Sequence, residues 1–122
     1  MSEGPDYEVA VTNKEKVRVA TASARARKHR LILTTGVLNG TEFRLELDAH
    51  LVGRAGDADI KLVSESVSRH HARLTRRQDE YSIEDLESQH GIYLNGLRVQ
   101  SAVLRDGDAL QLADVILRYE EF

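Results

Sequence analysis

The sequence predicts an all-β protein, a β-sandwich whose recognition loops lie together at one end. From Leu31 onward, apolar and polar residues alternate in short runs, which is the period of half-buried strands. Turn signals separate these runs at spacings close to the roughly 8 to 12 residues typical of sandwiches and barrels. No helical pattern alternates with the runs, as it would in βαβ units. We therefore expect two packed sheets, and we prefer a sandwich to a barrel.

Four segments carry the alternation most clearly, and each is expected to turn one apolar face toward the core. In "DALQL" the register is open, because either Ala109 or the pair Leu110 and Leu112 could face inward. The other inward sets are Phe43, Leu45 and Leu47 in "EFRLEL", Tyr81 and Ile83 in "EYSIEDL", and Val115, Leu117 and Tyr119 in "VILRYE".

Residues that favour turns stand between the predicted strands. Each turn offers a residue that tolerates positive φ or caps its own backbone, so the strands should meet as hairpins and meanders. Because a rigid double sheet can hold irregular loops in place, function is expected in the loops. The turn signals are Asn39-Gly40, Arg77-Gln78-Asp79, Asn95-Gly96 and Asp106-Gly107-Asp108.

The first 30 residues are expected to form a mostly disordered tail, with the folded domain spanning residues 31–122. The stretch "YEVAVTNKEKVRVATAS" could instead form a hairpin through Asn13-Lys14, while "SARARKHR" lacks an apolar face. Thr12 and Thr21 raise the alternative of an internal phosphosite that folds back onto the loops, although a tail threonine is more simply a common polar residue.

Composition restricts the class of protein. The 122 residues suit one domain, and the absence of Cys excludes disulfides and thiolate metal sites. No apolar run approaches the roughly 18 residues of a membrane span, and the N-terminus lacks the apolar core of a signal peptide, so we expect a soluble, cytoplasmic protein. Residues 1–30 carry a net charge of +3 and residues 31–122 a net charge of −6, which does not favour nucleic acid.

The segment "ESVSRHHARL" (65–74) concentrates groups that could carry chemistry. A hydrolase would use Ser68 as nucleophile, but Ser68 lies in no Gly-x-Ser-x-Gly elbow, and we expect no enzyme. A metal site would need imidazoles that converge, whereas adjacent His70 and His71 on a strand face opposite ways. We therefore expect no metal site.

An anion site explains more of these residues together. In "VGRAGDADI" the Arg54 guanidinium can fork onto phosphate oxygens, and Gly53 lets the backbone approach closely. Ser68 can donate its hydroxyl, and Arg69 follows with a second cation. A further polar loop, "SQHGIYLNG" (88–96), supplies Ser88, Gln89, His90 and Asn95. The alternative is that Arg54 and Arg69 only form surface ion pairs with Asp57, Asp59 or Asp85.

The order and spacing of these motifs resemble those of the forkhead-associated (FHA) domain. The motifs are Gly53-Arg54, then Ser68-Arg69-His70-His71, then Ser88-Gln89-His90-Gly91, then Asn95-Gly96. The resemblance covers roughly residues 31–122. It implies an eleven-stranded β-sandwich (FHA/SMAD-like) whose loops bind phosphothreonine peptides without cofactor or catalysis, in Ser/Thr kinase signalling and as a monomer.

The resemblance also implies a role for each site residue. Arg54, Ser68 and Arg69 would bind the phosphate, and Gln89 and His90 would contact the peptide. Structural support of the site would come from Gly53, His71, Gly91 and Asn95. Alternation along "RHHARL" places His70 with Ala72 and Leu74, so an inward His71 requires irregular backbone at the start of this strand.

Two positions depart from the family pattern. His90 stands where the family usually has Asn, and imidazole has its one donor and one acceptor on different ring edges, unlike the compact fork of an amide. Ile92 replaces the family's usual Thr. These departures keep open the alternative of a phosphate-independent scaffold on the same fold, for example in a secretion or envelope assembly.

Overall fold

A computed structural model describes residues 27–122, which form eleven β-strands and no helix. The strands are β1 (His29–Leu33), β2 (Glu42–Arg44), β3 (Ala49–Gly53), β4 (Ile60–Lys61), β5 (Ala72–Arg77), β6 (Glu80–Asp85), β7 (Ile92–Leu94), β8 (Leu97–Val99), β9 (Ser101–Val103), β10 (Ala109–Leu112) and β11 (Val115–Glu121). Residues 27–122 contain no helix that is long and apolar enough to cross a membrane. Residues 1–26 of the expected tail lie outside the described residues, and so do the alternative hairpin through Asn13-Lys14 and the residues Thr12 and Thr21.

The strands form two sheets. One has five strands in the order β9-β6-β5-β3-β4, and the other has six in the order β2-β1-β11-β10-β7-β8. All pairs are antiparallel except β3 with β4. The predicted eleven-stranded all-β sandwich is therefore confirmed.

The core lies between the two sheets and is made of alternating residues from each. On β5 and β6, Leu74 and Ile83 are paired across the ladder and fully buried. The six-stranded sheet contributes equally buried side chains, namely Leu31, Ile92, Leu110, Leu112, Leu117 and Tyr119. Each large apolar side chain buried in this way stabilises the fold by about 1.5–3 kcal/mol before the entropy of ordering is subtracted.

Three expectations about individual residues are corrected or resolved. Leu110 and Leu112 face the core, whereas Ala109 is exposed. Leu47 was expected to face the core, but its side chain is 52% exposed because β2 already ends at Arg44. Beyond β2 the chain turns, and the Leu47 carbonyl accepts a hydrogen bond from the hydroxyl of the buried Tyr81 (2.6 Å). Strand β1 begins at His29, two residues before the expected boundary at residue 31.

The turn residues have the predicted conformations. Asn95 and Gly96 have φ values of 51° and 86°, which form a two-residue hairpin between β7 and β8. A pair of positive φ values matches the right-handed twist of the flanking strands, and Asn-Gly is the sequence that adopts it most readily. Gln78 (φ 58°) closes the turn between β5 and β6 in the same region of φ.

Strand directions bring several loops to one end of the sandwich. Val52, near the end of β3, pairs with Ala72 at the start of β5, and Ala72 also pairs with Asp85 at the end of β6. The β3–β4 loop (54–59), the β4–β5 loop (62–71) and the β6–β7 loop (86–91) therefore start or end at the same edge. The loops predicted to carry recognition are adjacent.

Candidate functional site

The β3–β4 and β4–β5 loops are joined through their backbones at Gly53. The backbone N–H of Arg54 donates to the Ser68 carbonyl, and the N–H of Ala55 donates to the Arg69 carbonyl, both at 3.1 Å. A Cβ atom at Gly53 would come within 2.1 Å of the Arg69 carbonyl oxygen. Only glycine allows this approach, so the residue fixes the distance between the segments that carry Arg54 and Ser68.

The Arg54 side chain is half-buried and directed along the β4–β5 loop. Its Nε donates to the Val67 carbonyl at 2.9 Å, which orients the guanidinium and leaves both terminal nitrogens for another acceptor. Within residues 27–122, neither Arg54 nor Arg69 has a carboxylate within ion-pair distance. The three acidic residues considered as surface partners are engaged elsewhere: Asp57 with His70 (3.0 Å), Asp59 with the Leu51 N–H (2.7 Å) and Asp85 with the Ser88 hydroxyl (2.6 Å).

Ser68 links the second loop to the third. Its Oγ accepts a hydrogen bond from the Gln89 backbone N–H at 3.1 Å, which leaves the hydroxyl proton available to an external acceptor. Its backbone N–H donates to His71 Nδ1, also at 3.1 Å. The hydroxyl of Ser68 and the guanidinium of Arg54 are therefore carried by segments that are directly bonded to each other.

His71 is completely buried and bonds to backbone atoms on two loops. Its Nδ1 accepts from the Ser68 N–H, and its Nε2 donates to the Gly91 carbonyl at 2.8 Å. These partners define the tautomer with the proton on Nε2. His71 and Ala72 are both buried although they are adjacent, because regular strand β5 begins only at Ala72. His70 is exposed and pairs with Asp57, and this hydrogen bond lowers the pKa of the Asp57 carboxyl.

The β6–β7 loop is held by Ser88 and Gly91 together with Asp85 and Gln100, two residues that sequence reasoning did not assign to the site. Ser88 Oγ donates to Asp85 Oδ1 (2.6 Å) and accepts from the Gly91 N–H (2.8 Å). Gln100 Nε2 donates to the Asp85 carbonyl at 3.0 Å. Gly91 has a φ of 75°, and a Cβ there would meet the Arg98 side chain. The spacing Asp-x-x-Ser was the available signal, since these residue types form local turns of this kind.

Gln89 and His90 are exposed at the tip of this loop, and only the backbone of Gln89 contacts Ser68. His90 borders an open cavity of about 630 Å³ that continues past Ser66 to Tyr93, Gln111 and Asp114. An extended chain bound at Ser68 has room to pass along this side of the loops.

Asn95 lies apart from the other predicted site residues, at the opposite end of the short strand β7. Its Oδ1 accepts from the Ala109 N–H (2.9 Å), and its Nδ2 donates to Asp108 Oδ1 (3.0 Å). These bonds attach the β7–β8 hairpin to the start of β10. Within residues 27–122, Asn95 has no hydrogen bond to another predicted site residue.

The donors on the two joined segments suit a compact, multiply charged anion. A guanidinium with free terminal nitrogens on one segment and a serine hydroxyl on the other are groups that bind phosphate oxygens, and Arg69 adds a second positive charge on an exposed side chain. In the part of the chain that the structure describes, no group of three or more His, Asp or Glu side chains is placed to hold a metal ion.

The family model of the FHA domain matches residues 50–113, which include every predicted site residue from Gly53 to Asn95. The chain belongs to the FHA-domain family. FhaB of Mycobacterium tuberculosis, an FHA domain-containing protein, is 38% identical over 90 residues, which are 71% of this chain and 58% of that protein. The oxoglutarate dehydrogenase inhibitor of Corynebacterium jeikeium is 37% identical over 82 residues, 67% of this chain and 57% of the inhibitor.

Solved FHA-domain structures have the same fold. A structure from work on phosphothreonine-dependent FHA domain interactions superposes with a TM-score of 0.71 at 28% identity, and covers 76% of this chain and 95% of its own. EmbR of M. tuberculosis in complex with a low-affinity phosphopeptide gives a TM-score of 0.70 at 31% identity over 76% of this chain and 24% of its own. This FHA domain spans less than two thirds of the length of the curated relatives above.

Proposed function

We propose that this FHA domain is a phosphothreonine-dependent interaction module of Ser/Thr kinase signalling, acting as a cytoplasmic monomer. The observation that carries the proposal is the backbone pairing of the segments that hold Arg54 and Ser68. Arg54 has its terminal nitrogens free within the described residues, and Ser68 has its hydroxyl proton free, on two segments joined by backbone hydrogen bonds. Solved relatives, one from work on phosphothreonine-dependent interactions and one in complex with a phosphopeptide, support the same assignment.

The energy available at such a site suits reversible signalling. A charge-assisted hydrogen bond contributes about 1.5–3 kcal/mol, so two or three of them supply much of the roughly 8 kcal/mol of a micromolar complex. Peptide contacts at Gln89 and His90 would supply part of the rest. In this proposal Arg69 strengthens the phosphate contact from the rim, and Gly53, His71 and Gly91 hold the loops in place.

The same contacts support binding and not catalysis. A serine nucleophile needs a neighbouring base that accepts its hydroxyl proton. His71 is the buried imidazole nearest in sequence, but its two nitrogens are bonded to the Ser68 backbone N–H and to the Gly91 carbonyl. It is therefore not placed to deprotonate the Ser68 hydroxyl.

A second candidate is a scaffold that uses the same fold without phosphate. His90 and Ile92 favour it, since both replace polar residues that are usual in the family. Ile92 is fully buried, so its side chain belongs to the core and offers nothing to a ligand. This candidate predicts that partners bind equally well after phosphatase treatment.

Replacing Arg54 with Ala tests the proposal. We expect Arg54→Ala to weaken binding of a degenerate phosphothreonine peptide library by about 2–5 kcal/mol with the fold intact, because the phosphate loses its partner in a partly desolvated site. Titration calorimetry measures the affinity and circular dichroism the fold.

The matched control is Arg73→Ala, an exposed arginine on β5 that pairs with Glu84 (3.7 Å), and it should bind like the wild type. Binding that survives phosphatase treatment, or that is equal in Arg54→Ala and the wild type, would favour the scaffold.

A further inference from the structure

A second cavity opens at the same end of the sandwich, between the β1–β2 loop and the start of the β4–β5 loop. It has a volume of about 460 Å³. Leu33, Phe43 and Val115 line its strand side, and Val37, Leu38 and Val63 line its rim. We call this cavity the apolar groove.

The rim of the apolar groove exposes hydrophobic side chains to an unusual degree. Val37 is 98% exposed, Val63 80% and Leu38 57%, and these are three of the seven large hydrophobic residues exposed in the described part of the chain. Single exposed hydrophobic residues are ordinary, but a cluster beside a concave apolar surface marks an interaction site.

The apolar groove is next to the cavity beside His90. Asp114, in the turn between β10 and β11, lines both cavities. Ser64, which also lines the apolar groove, donates its hydroxyl to Asp114 Oδ1 at 2.6 Å. A chain that runs from the phosphate site along the first cavity would therefore reach the apolar groove at Ser64 and Asp114.

The size of the groove identifies the kind of occupant. A volume of about 460 Å³ accommodates a few side chains of one extended segment. A stable dimer buries about 800 Å² and roughly 20–30 residues on each partner, whereas thirteen residues line this groove. An extended segment of the bound partner fits the groove better than a second copy of this chain.

We propose that the apolar groove binds a nonpolar segment of the same partner whose phosphothreonine occupies the Arg54–Ser68 site. This inference rests on the function proposed above. The phosphate contact is the same for every phosphothreonine partner, and the apolar groove selects among them by the hydrophobic side chains some residues away. Recognition is therefore in two parts, one set by phosphorylation and one by sequence.

Two degenerate phosphothreonine libraries test the inference. A short library has about four residues on each side of the phosphothreonine, so that it includes the position three residues away, and a long library about twelve; at about 3.3 Å per extended residue these reach roughly 13 Å and 40 Å. Peptides retained by the wild-type domain from the long library should be enriched in Val, Leu, Ile or Phe outside the short window. Val63→Asp and Val37→Asp should lose this enrichment and bind the selected long peptides about tenfold more weakly, while binding the short library normally.

The control is Val103→Asp, which changes a 43% exposed valine on β9 that lines neither cavity, and it should retain the enrichment. Equal enrichment in the wild type and in both groove variants would overturn the inference. The inference would also fail if the molecular mass measured by light scattering rose with protein concentration in the wild type but not in Val63→Asp. A second copy of this chain would then be the occupant. Failure of the function proposed above looks different, because the wild type would then retain neither library in a phosphate-dependent way.

Discussion

His71 and His29 are both buried imidazoles with two hydrogen-bonded ring nitrogens, but they lie at opposite ends of the sandwich and bond to different kinds of group. His71 bonds to a backbone N–H and a backbone carbonyl in two loops. His29 bonds to side chains: its Nε2 lies 3.0 Å from Asp79 Oδ1 and its Nδ1 lies 2.6 Å from the Tyr119 hydroxyl. The first arrangement fixes loop backbone for a ligand, and the second ties strands together inside the fold.

The electrostatics of the two ends differ accordingly. Burial, followed by the charge and the hydrogen bond of Glu121, raises the pKa of the Tyr119 hydroxyl, which therefore stays protonated. Burial acts to raise the pKa of Asp79, but hydrogen bonds from His29 and the Arg27 N–H outweigh it and the net shift is downward. At the His29 end, the polar side chains are therefore hydrogen-bonded to each other. At the loop end, the terminal nitrogens of Arg54 have no hydrogen-bond partner among residues 27–122, so they can bind a ligand.

Removing the His71 imidazole should have the largest effect. We expect His71→Ala to lower the free energy of unfolding by about 3 kcal/mol, because it leaves a cavity and two backbone groups without partners. Phosphopeptide binding should be lost together with stability, since Ser68 and Gly91 are no longer held. Urea denaturation and calorimetry measure the two effects. His70→Ala, next in sequence but exposed, should change stability by less than about 0.5 kcal/mol. Normal binding by folded His71→Ala would show that the imidazole does not organise the loops.

A smaller effect is expected at the opposite end. Tyr119→Phe removes the hydroxyl that contacts His29 and Glu121, and should lower the free energy of unfolding by about 1–2 kcal/mol. Phosphopeptide affinity should stay unchanged, because the loops are held by His71. Tyr93→Phe is the control, since the Tyr93 hydroxyl has no hydrogen bond within residues 27–122, and it should keep wild-type stability. A loss of affinity in Tyr119→Phe would mean that the two ends are coupled.

His90 offers a change in affinity without a change in stability. His90→Asn introduces the amide that is usual in the family at an exposed loop position, and should strengthen phosphopeptide binding by about 1 kcal/mol, the value of one added hydrogen bond. Calorimetry with the short phosphothreonine library measures it, with His70→Asn as the control. Unchanged or weaker binding would indicate that His90 is adapted to its own ligand.

The smallest expected effect is a pH dependence carried by His50. Burial lowers the pKa of His50 below its ordinary 6.5, although the charges of Asp59 and Glu46 partly oppose the shift. As the pH falls, His50 therefore becomes protonated in the unfolded chain before it does in the folded protein. The stability that depends on a neutral His50 is fully present above pH 6.5 and is lost as the pH falls toward the lower pKa of His50 in the folded state. Between pH 7.5 and about pH 5, the free energy of unfolding should decline less steeply for His50→Gln than for the wild type. Denaturation experiments measure it, and equal slopes would contradict the assignment.

The fold could be predicted because its signals are local. Alternation at Tyr81 and Ile83, and the turn at Asn95-Gly96, depend on neighbours in sequence, and both were predicted correctly. The exposure of Leu47 and the burial of His29 depend on where the chain turns and on Asp79 and Tyr119, which are distant in sequence. A pattern of residue types does not contain those contacts.

The site was predictable to a different extent. The loop residues proposed to bind an anion could be named, because guanidinium and hydroxyl groups beside glycine have few other uses. Gly53, His71 and Gly91 could also be named as supports, but Asp85 and Gln100 could not, because their hydrogen bonds form only after β6 and β9 are paired. Asn95 was placed with the site by its polar loop and by motif order, and its side-chain hydrogen bonds attach the β7–β8 hairpin to β10.

The hydrogen bond from His71 Nε2 to the Gly91 carbonyl runs between the two layers of the sandwich, because His71 precedes β5 of one sheet and Gly91 precedes β7 of the other. Any sliding of one layer over the other would stretch this bond and move Gln89 away from Ser68. Ligand affinity therefore depends on the relative position of the two sheets, and a bound peptide would in turn resist sliding of one sheet over the other.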